Sequence, residues 1–342
     1  MCKYSLLIFL KLLILVASIC RRVDGQVSIK KVTPAVELAE GPHWDHKSQS
    51  LYYVNILGKQ ILRLDPLTGR VNRVTFPGDQ LISFVIPVQG GRRNRLIVGR
   101  GLDVVLLEWD GGEDVSEPSY EVVASLIDRD ADPARQRIND AKCDPRGRLL
   151  LGTMALKSTE GSVEPNRGAL YKIGGRSLRA ERLMSPVTIS NGLAWNARGN
   201  VLYYIDSASY QVWALDYRLA TGRLQAADKK RVIIDLKVAG IDGMPDGMTI
   251  DDEGNLWIAV FGGGCVLNVD PRAKKLIRRI DLPVPQVTSV AFGGPHLDVL
   301  YVTTAREDLT EAQLLEKPDS GSVYAITGLG VRGRVASDFS LN

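Results

Sequence analysis

The chain has 342 residues, 45% of them hydrophobic, 24% charged and 33 of them glycine, a balance that excludes a disordered chain and points to a globular, turn-rich protein. Lys and Arg number 43 against 39 Asp and Glu, for a net charge of +4. That leaves no electrostatic footprint for nucleic acid, and the one dense basic cluster, Arg92-Arg93-Asn94-Arg95, reads as a solvated hairpin turn.

The first element is an apolar run over 6–19, preceded by Lys3 and broken only by Lys11 and Ser18, with small or polar residues following to Gln26. Residues 1–25 read as a secretory signal peptide, because the run is short of the roughly 20 apolar residues that a spanning helix needs. Cleavage after Ser18, Cys20 or Gly25 fits equally. The expectation is a secreted protein without a membrane anchor once the segment is removed, and a cytoplasmic one if the segment is not a functional signal. Removal takes four basic residues and one acidic residue, so the mature chain carries +1. It also takes Cys2 and Cys20, leaving Cys143 and Cys265 in apolar stretches where buried free thiols are expected. No Asn-x-Ser/Thr acceptor is present.

From Val32 onward strand signals dominate, among them Leu51-Tyr52-Tyr53-Val54, Val201-Leu202-Tyr203-Tyr204 and Leu256-Trp257-Ile258-Ala259. The one helical stretch is a turn or two over 309–315. Four segments repeat in register: Glu40-Gly-Pro-His-Trp44-Asp45, Asn139-Asp-Ala-Lys-Cys143-Asp144, Asn191-Gly-Leu-Ala-Trp195-Asn196 and Asp246-Gly-Met-Thr-Ile250-Asp251. Each has a polar acceptor, an apolar or sulfur-bearing residue four places on, and Asp or Asn five places on, before a turn. Thr288-Ser-Val-Ala-Phe292-Gly293 is a fifth copy without the acid, and the segment around Ser83 supplies a sixth. Units of about 40 to 55 residues with several strands each are β-propeller blades, so residues 26–342 are expected to form a single all-β domain, a six-bladed β-propeller. A sandwich does not repeat internally, and the turns of a β-helix are much shorter.

The first strand of each blade lines the axis of a propeller, so Glu40, Asn139, Asn191 and Asp246 should converge there. Two carboxylates and two carboxamides suit one hard divalent cation, calcium, magnesium or manganese rather than tetrahedral zinc. The same residue types also make turns, and spacing alone leaves both roles open, whereas Asp45, Asp144, Asn196 and Asp251 read as turn formers. His43, His46 and His296 have no metal-ligand spacing. Asp206 reads as a satisfied strand-end carboxylate, with a supporting role beside a metal as the other option.

At these residues the chain resembles the SMP-30/regucalcin/gluconolactonase family over about 36–333. The motifs are Glu40-Gly41-Pro42-His43-Trp44, Arg137-Ile138-Asn139-Asp140, Gly152-Thr153-Met154, Ser190-Asn191-Gly192-Leu193, Tyr204-Ile205-Asp206-Ser207 and Pro245-Asp246-Gly247-Met248. The stretches 287–294 and 327–331 are similar to the insect branch, which includes luciferin-regenerating enzyme. The resemblance implies six blades and one divalent cation, calcium foremost, with Mn²⁺, Mg²⁺ or Zn²⁺ as alternatives. It implies Glu40, Asn191 and Asp246 as metal ligands, Asp246 also as general base, and Arg137 and Asn139 as contacts to a lactone. The chain departs from the vertebrate branch at Ala155-Leu156-Lys157, where an acidic residue follows Gly-Thr-Met, which makes Lys157 a candidate specificity residue.

The expected activity is therefore hydrolysis of a small lactone by a monomer, with the cation polarising the carbonyl and Asp246 assisting the attacking water. The competing expectation is a calcium-binding or small-ligand-binding protein that uses the same pocket without turnover.

Overall fold

The structure is a computed structural model that describes residues 26–90, 94–127, 132–174 and 178–341. The expected signal segment and Arg92 and Arg93 lie outside the described residues. The chain forms six sheets, antiparallel except for the short parallel strand Val115–Ser116 at the outer edge of the first, that follow one another in sequence order as the blades of a propeller. Their inner strands are Ala39–Asp45, Ile82–Pro87, Gln136–Cys143, Ser190–Trp195, Met244–Ile250 and Val287–Gly293, taken as blades 1 to 6. Each inner strand packs on the next, and the sixth packs on the first, so the ring is closed.

Burial follows distance from the axis. Strands with a blade on either side, such as Ser50–Asn55 and Leu149–Ala155, are buried at every residue, whereas the outer strand Lys275–Asp281 is mostly exposed. The core is a set of apolar seams between blades rather than one central mass. Trp257, Ala259 and Val266 of blade 5 meet Val290, Phe292 and Val302 of blade 6, with the rings of Trp257 and Phe292 edge to face at 5.7 Å. The apolar position of the repeat serves these seams: Trp44, Cys143, Trp195, Ile250 and Phe292 are all buried. Cys143 and Cys265 are buried free thiols, as expected, and burial pushes both up. No helix among the described residues is long and apolar enough to cross a membrane.

The acid or amide closing each repeat makes its turn. Asp45 accepts from the backbone N–H of Lys47, Asp144 from Arg146 and Arg148, Asn196 from Asn200 and Val201, and Asp251 from Asn255. The short helix forms at Glu311–Glu316, with Thr310 and Gln313 in a reciprocal capping box.

The two termini complete the ring. Ser28–Lys31 pairs antiparallel with Tyr324–Thr327 and becomes the outer strand of blade 6, whose other strands all come from the end of the chain. The C-terminal tail then runs past the far ends of the inner strands. Gly333 N–H donates to Leu297, Phe339 N–H to Pro87, and Ser340 N–H to Gly147, while Asp338 receives Lys47 Nζ at 2.7 Å and lies 3.5 Å from His43 Nε2. Phe339 is fully buried between blades 2 and 3, among Phe84, Ile97, Cys143 and Leu149. Phe339→Ala should cost about 3 kcal/mol in urea unfolding through lost burial and the cavity left behind.

Burial alone would raise the Asp338 carboxyl, but His43 and Lys47 hold it below the ordinary aspartate value. A depressed carboxyl adds stability above its unfolded pKa and loses that contribution as pH falls through the folded one. Asp338→Asn should therefore lower the midpoint of thermal unfolding at pH 7, and the gap to wild type should close as the pH is taken below about 4.

Candidate metal centre and pocket

All six inner strands break register within one residue of the polar repeat position. The breaks lie between Glu40 and His43, Ile82 and Val85, Ile138 and Ala141, Ser190 and Leu193, Pro245 and Met248, and Val287 and Ser289. Each is a β-bulge with one extra residue on the inner strand, which bends the strand and re-aims its side chains. The polar repeat position falls inside this bulge in blades 2 to 6, as Ser83, Asn139, Asn191, Asp246 and Thr288, and borders it in blade 1, as Glu40.

Glu40, Asn139, Asn191 and Asp246 are buried, with 6–9% of each exposed. Blades 3 and 4 meet directly: Asn139 Nδ2 donates to Asn191 Oδ1 at 3.0 Å and to the Ser190 carbonyl at 2.9 Å. Asn191 Nδ2 donates to Ser207 Oγ, which donates to the Pro245 carbonyl of blade 5 next to Asp246. Part-buried Arg137 leans over this group, with Nη1 donating to Asn139 Oδ1 at 2.7 Å. The close approach of the inner strands needs glycine behind the ring. A Cβ on Gly192 would stand 2.7 Å from the Asp246 carbonyl oxygen, and one on Gly247 would stand 1.9 Å from Ser289 Oγ.

Electrostatics join Glu40 and Asp246 into one cluster. Burial, and then the charge of Asp140, pushes the Glu40 carboxyl up to about 8, against Arg137 and the Gly41 N–H, which lower it. Burial, then Glu40 and Asp140, holds Asp246 well above the aspartate range. Arg137 is itself lowered by burial, with Glu307, Glu40 and Asp246 opposing. Carboxylates packed this way repel and desolvate one another, a cost that a bound cation removes. The oxygen-only donor set of Glu40, Asn191 and Asp246 fits a hard divalent ion completed by water. It does not include three acidic, His or Cys side chains, and no group of three such residues able to hold a metal occurs among the described residues.

Several residues at the site were not singled out from the sequence. Asp140 is buried beside the ring, its carboxyl raised by burial against the pull of Lys142. Lys142 reaches across the shaft from blade 3 and donates to the Met248 carbonyl of blade 5 at 2.6 Å. Ser207 buttresses Asn191, and its place as the last residue of the Tyr204-Ile205-Asp206-Ser207 motif was the available signal. Asp206 is the satisfied strand-end carboxylate, accepting from the Thr188 and Ile189 N–H groups at 3.0 Å each. Lys157, in loop 156–167, pairs with Glu307 and Asp308 of the loop after Val299–Thr304.

The family description SMP-30/Gluconolactonase/LRE-like region matches residues 38–306. Human regucalcin is 38% identical over 310 residues, covering 90% of this chain and 97% of the human protein. Regucalcin of Xenopus laevis is 36% identical over 309 residues, with the same coverage of each. A solved luciferin-regenerating enzyme superposes with a TM-score of 0.83 at 34% identity, covering 92% of this chain and all of that one. The Agrobacterium tumefaciens protein described as a calcium-binding protein, regucalcin, superposes with a TM-score of 0.79 at 26% identity, covering 91% and 97%. The closed ring of six blades, the match over most of its length and these relatives agree: the chain belongs to the SMP-30/gluconolactonase/LRE-like family.

Proposed function

We propose that the protein hydrolyses small lactones with one divalent cation, calcium foremost, held by Glu40, Asn191 and Asp246. The observation that carries this reading is the buried group of carboxylates and carboxamides at the bulges of blades 1, 3, 4 and 5, whose acids are pushed toward neutrality by their own crowding. Membership of a family that includes gluconolactonases supports it.

When bound, such a cation supplies a Lewis acid for the lactone carbonyl and makes a coordinated water easier to deprotonate. The rest of the work falls to the chain. Asp246 accepts the proton of the attacking water from its place in the buried polar ring. Arg137, fixed by its bond to Asn139, orients the substrate hydroxyls with Asn139 and adds positive charge where the acyl oxygen turns negative. The bond from Asn139 to Asn191 ties the substrate-orienting side to the metal-holding side, so the two are placed as one unit.

The description of the Agrobacterium relative as calcium-binding favours a second reading, in which the same pocket holds calcium without turnover. Acid release from glucono-δ-lactone, after chelator treatment and re-addition of Ca²⁺, Mn²⁺, Mg²⁺ or Zn²⁺, separates the two. The lactonase loses activity on chelation and regains it with the cation, whereas a binder saturates and releases no acid. Asp246→Asn should lower kcat/KM by about 10³-fold and abolish high-affinity cation binding in calorimetry. Full activity in that variant would remove Asp246 from the mechanism. Ser207→Ala, which removes the acceptor behind Asn191 and the donor to the Pro245 carbonyl next to Asp246, should weaken cation binding by about tenfold while leaving the fold intact.

A further inference from the structure

Two loops meet over the end of the shaft that holds the polar ring. Ala155, the last residue before loop 156–167 of blade 3, pairs with Gln136, three residues ahead of Asn139. Thr304, at the end of the second strand of blade 6, pairs with Val287, one residue ahead of the bulge. Both loops therefore leave the sheets at the ring's end of the propeller, and they come from blades three apart in a ring of six, on opposite sides of the axis. Lys157 Nζ joins them, contacting Glu307 Oε1 and Asp308 Oδ2.

Both partners are built to hold position. Loop 156–167 is folded back on itself, with Lys157 bridged to Val163, the Ser158 N–H donating to the Ser162 carbonyl, and Leu156 tied to the Arg135 carbonyl. Across the mouth, Ala305 N–H donates to the Gln286 carbonyl, Arg306 N–H to the Glu37 carbonyl, and Gln286 Nε2 to the Glu307 carbonyl. The Glu307 side chain is 16% exposed and that of Lys157 34%, so the pair is partly shielded from water and salt. Glu307 also acts electrostatically on Arg137 below, ahead of Glu40 and Asp246. The mouth of the pocket and the substrate-orienting arginine are thereby linked through one carboxylate.

We infer that Lys157, with Glu307 and Asp308, forms an ionic latch across the pocket mouth that selects small lactones over bulky ones. The inference rests on the lactonase reading and adds the size of substrate to it. A ligand enters or leaves by separating one ammonium from two carboxylates. A compact monosaccharide lactone fits beneath the closed pair, whereas a disaccharide lactone keeps its second ring in the gap and holds the pair apart.

The test compares wild type with Lys157→Ala, Lys157→Glu and Lys157→Arg in two measurements. The first is the ratio of kcat/KM for lactobiono-δ-lactone to that for glucono-δ-lactone. The second is the rate of Ca²⁺ release into a fluorescent chelator in stopped flow, which needs no turnover. The Ala and Glu variants should raise the ratio and the release rate by about fivefold each, the effect of losing a partly exposed ion pair, while Arg keeps both near wild type. Raising NaCl to about 0.5 M should speed release from wild type and leave the Ala variant unchanged. Equal ratios and salt-insensitive release in all four proteins overturn the latch while the lactonase reading stands. A wild type that releases neither Ca²⁺ nor acid overturns both.

Discussion

The site follows from one backbone constraint, the extra residue in every inner strand at the level of the polar ring. A regular strand alternates its side chains between faces, so only every second residue could address the axis. The bulge suspends that alternation at a single level. In blade 3 it leaves neighbours Asn139 and Asp140 both buried, one bonded to Asn191 and the other within electrostatic reach of Glu40 and Asp246. Six bulges at one height turn six separate hairpins into a ring of functional groups, and the glycines at 192 and 247 let the strands come near enough for that ring to be small.

The charge pattern along the shaft is layered. Glu40, Asp246 and Asp140 form the acidic level, with the Arg137 guanidinium above and the Lys142 ammonium below, each displaced from its ordinary titration by burial. When ionised, the three acids outnumber the two bases, an imbalance that a divalent cation would neutralise.

Much of this was legible in the sequence because a propeller repeats itself. The register of Glu40, Asn139, Asn191 and Asp246 could be read by aligning the chain with itself, and Asp45, Asp144, Asn196 and Asp251 announced turns through well-understood local chemistry. The bulge was not legible, since it arises from strand pairing rather than from any residue type, and Asp140 was overlooked for that reason: simple alternation assigns it away from Asn139. Glu307 and Asp308 were hidden differently. They lie about 150 positions from Lys157, in a loop with no repeat to align, and only the closed ring brings blade 3 opposite blade 6.

The outer strand of blade 6 has a consequence for the order of assembly. Ser28–Lys31 leaves the ribosome long before its hydrogen-bonding partner, Tyr324–Thr327. Until that partner is made the segment waits as an unpaired piece, the kind of sticky edge that invites pairing with other chains. Its composition answers the hazard: all four residues stay exposed even in the finished ring, and two of them are lysines whose charges discourage neighbours from docking.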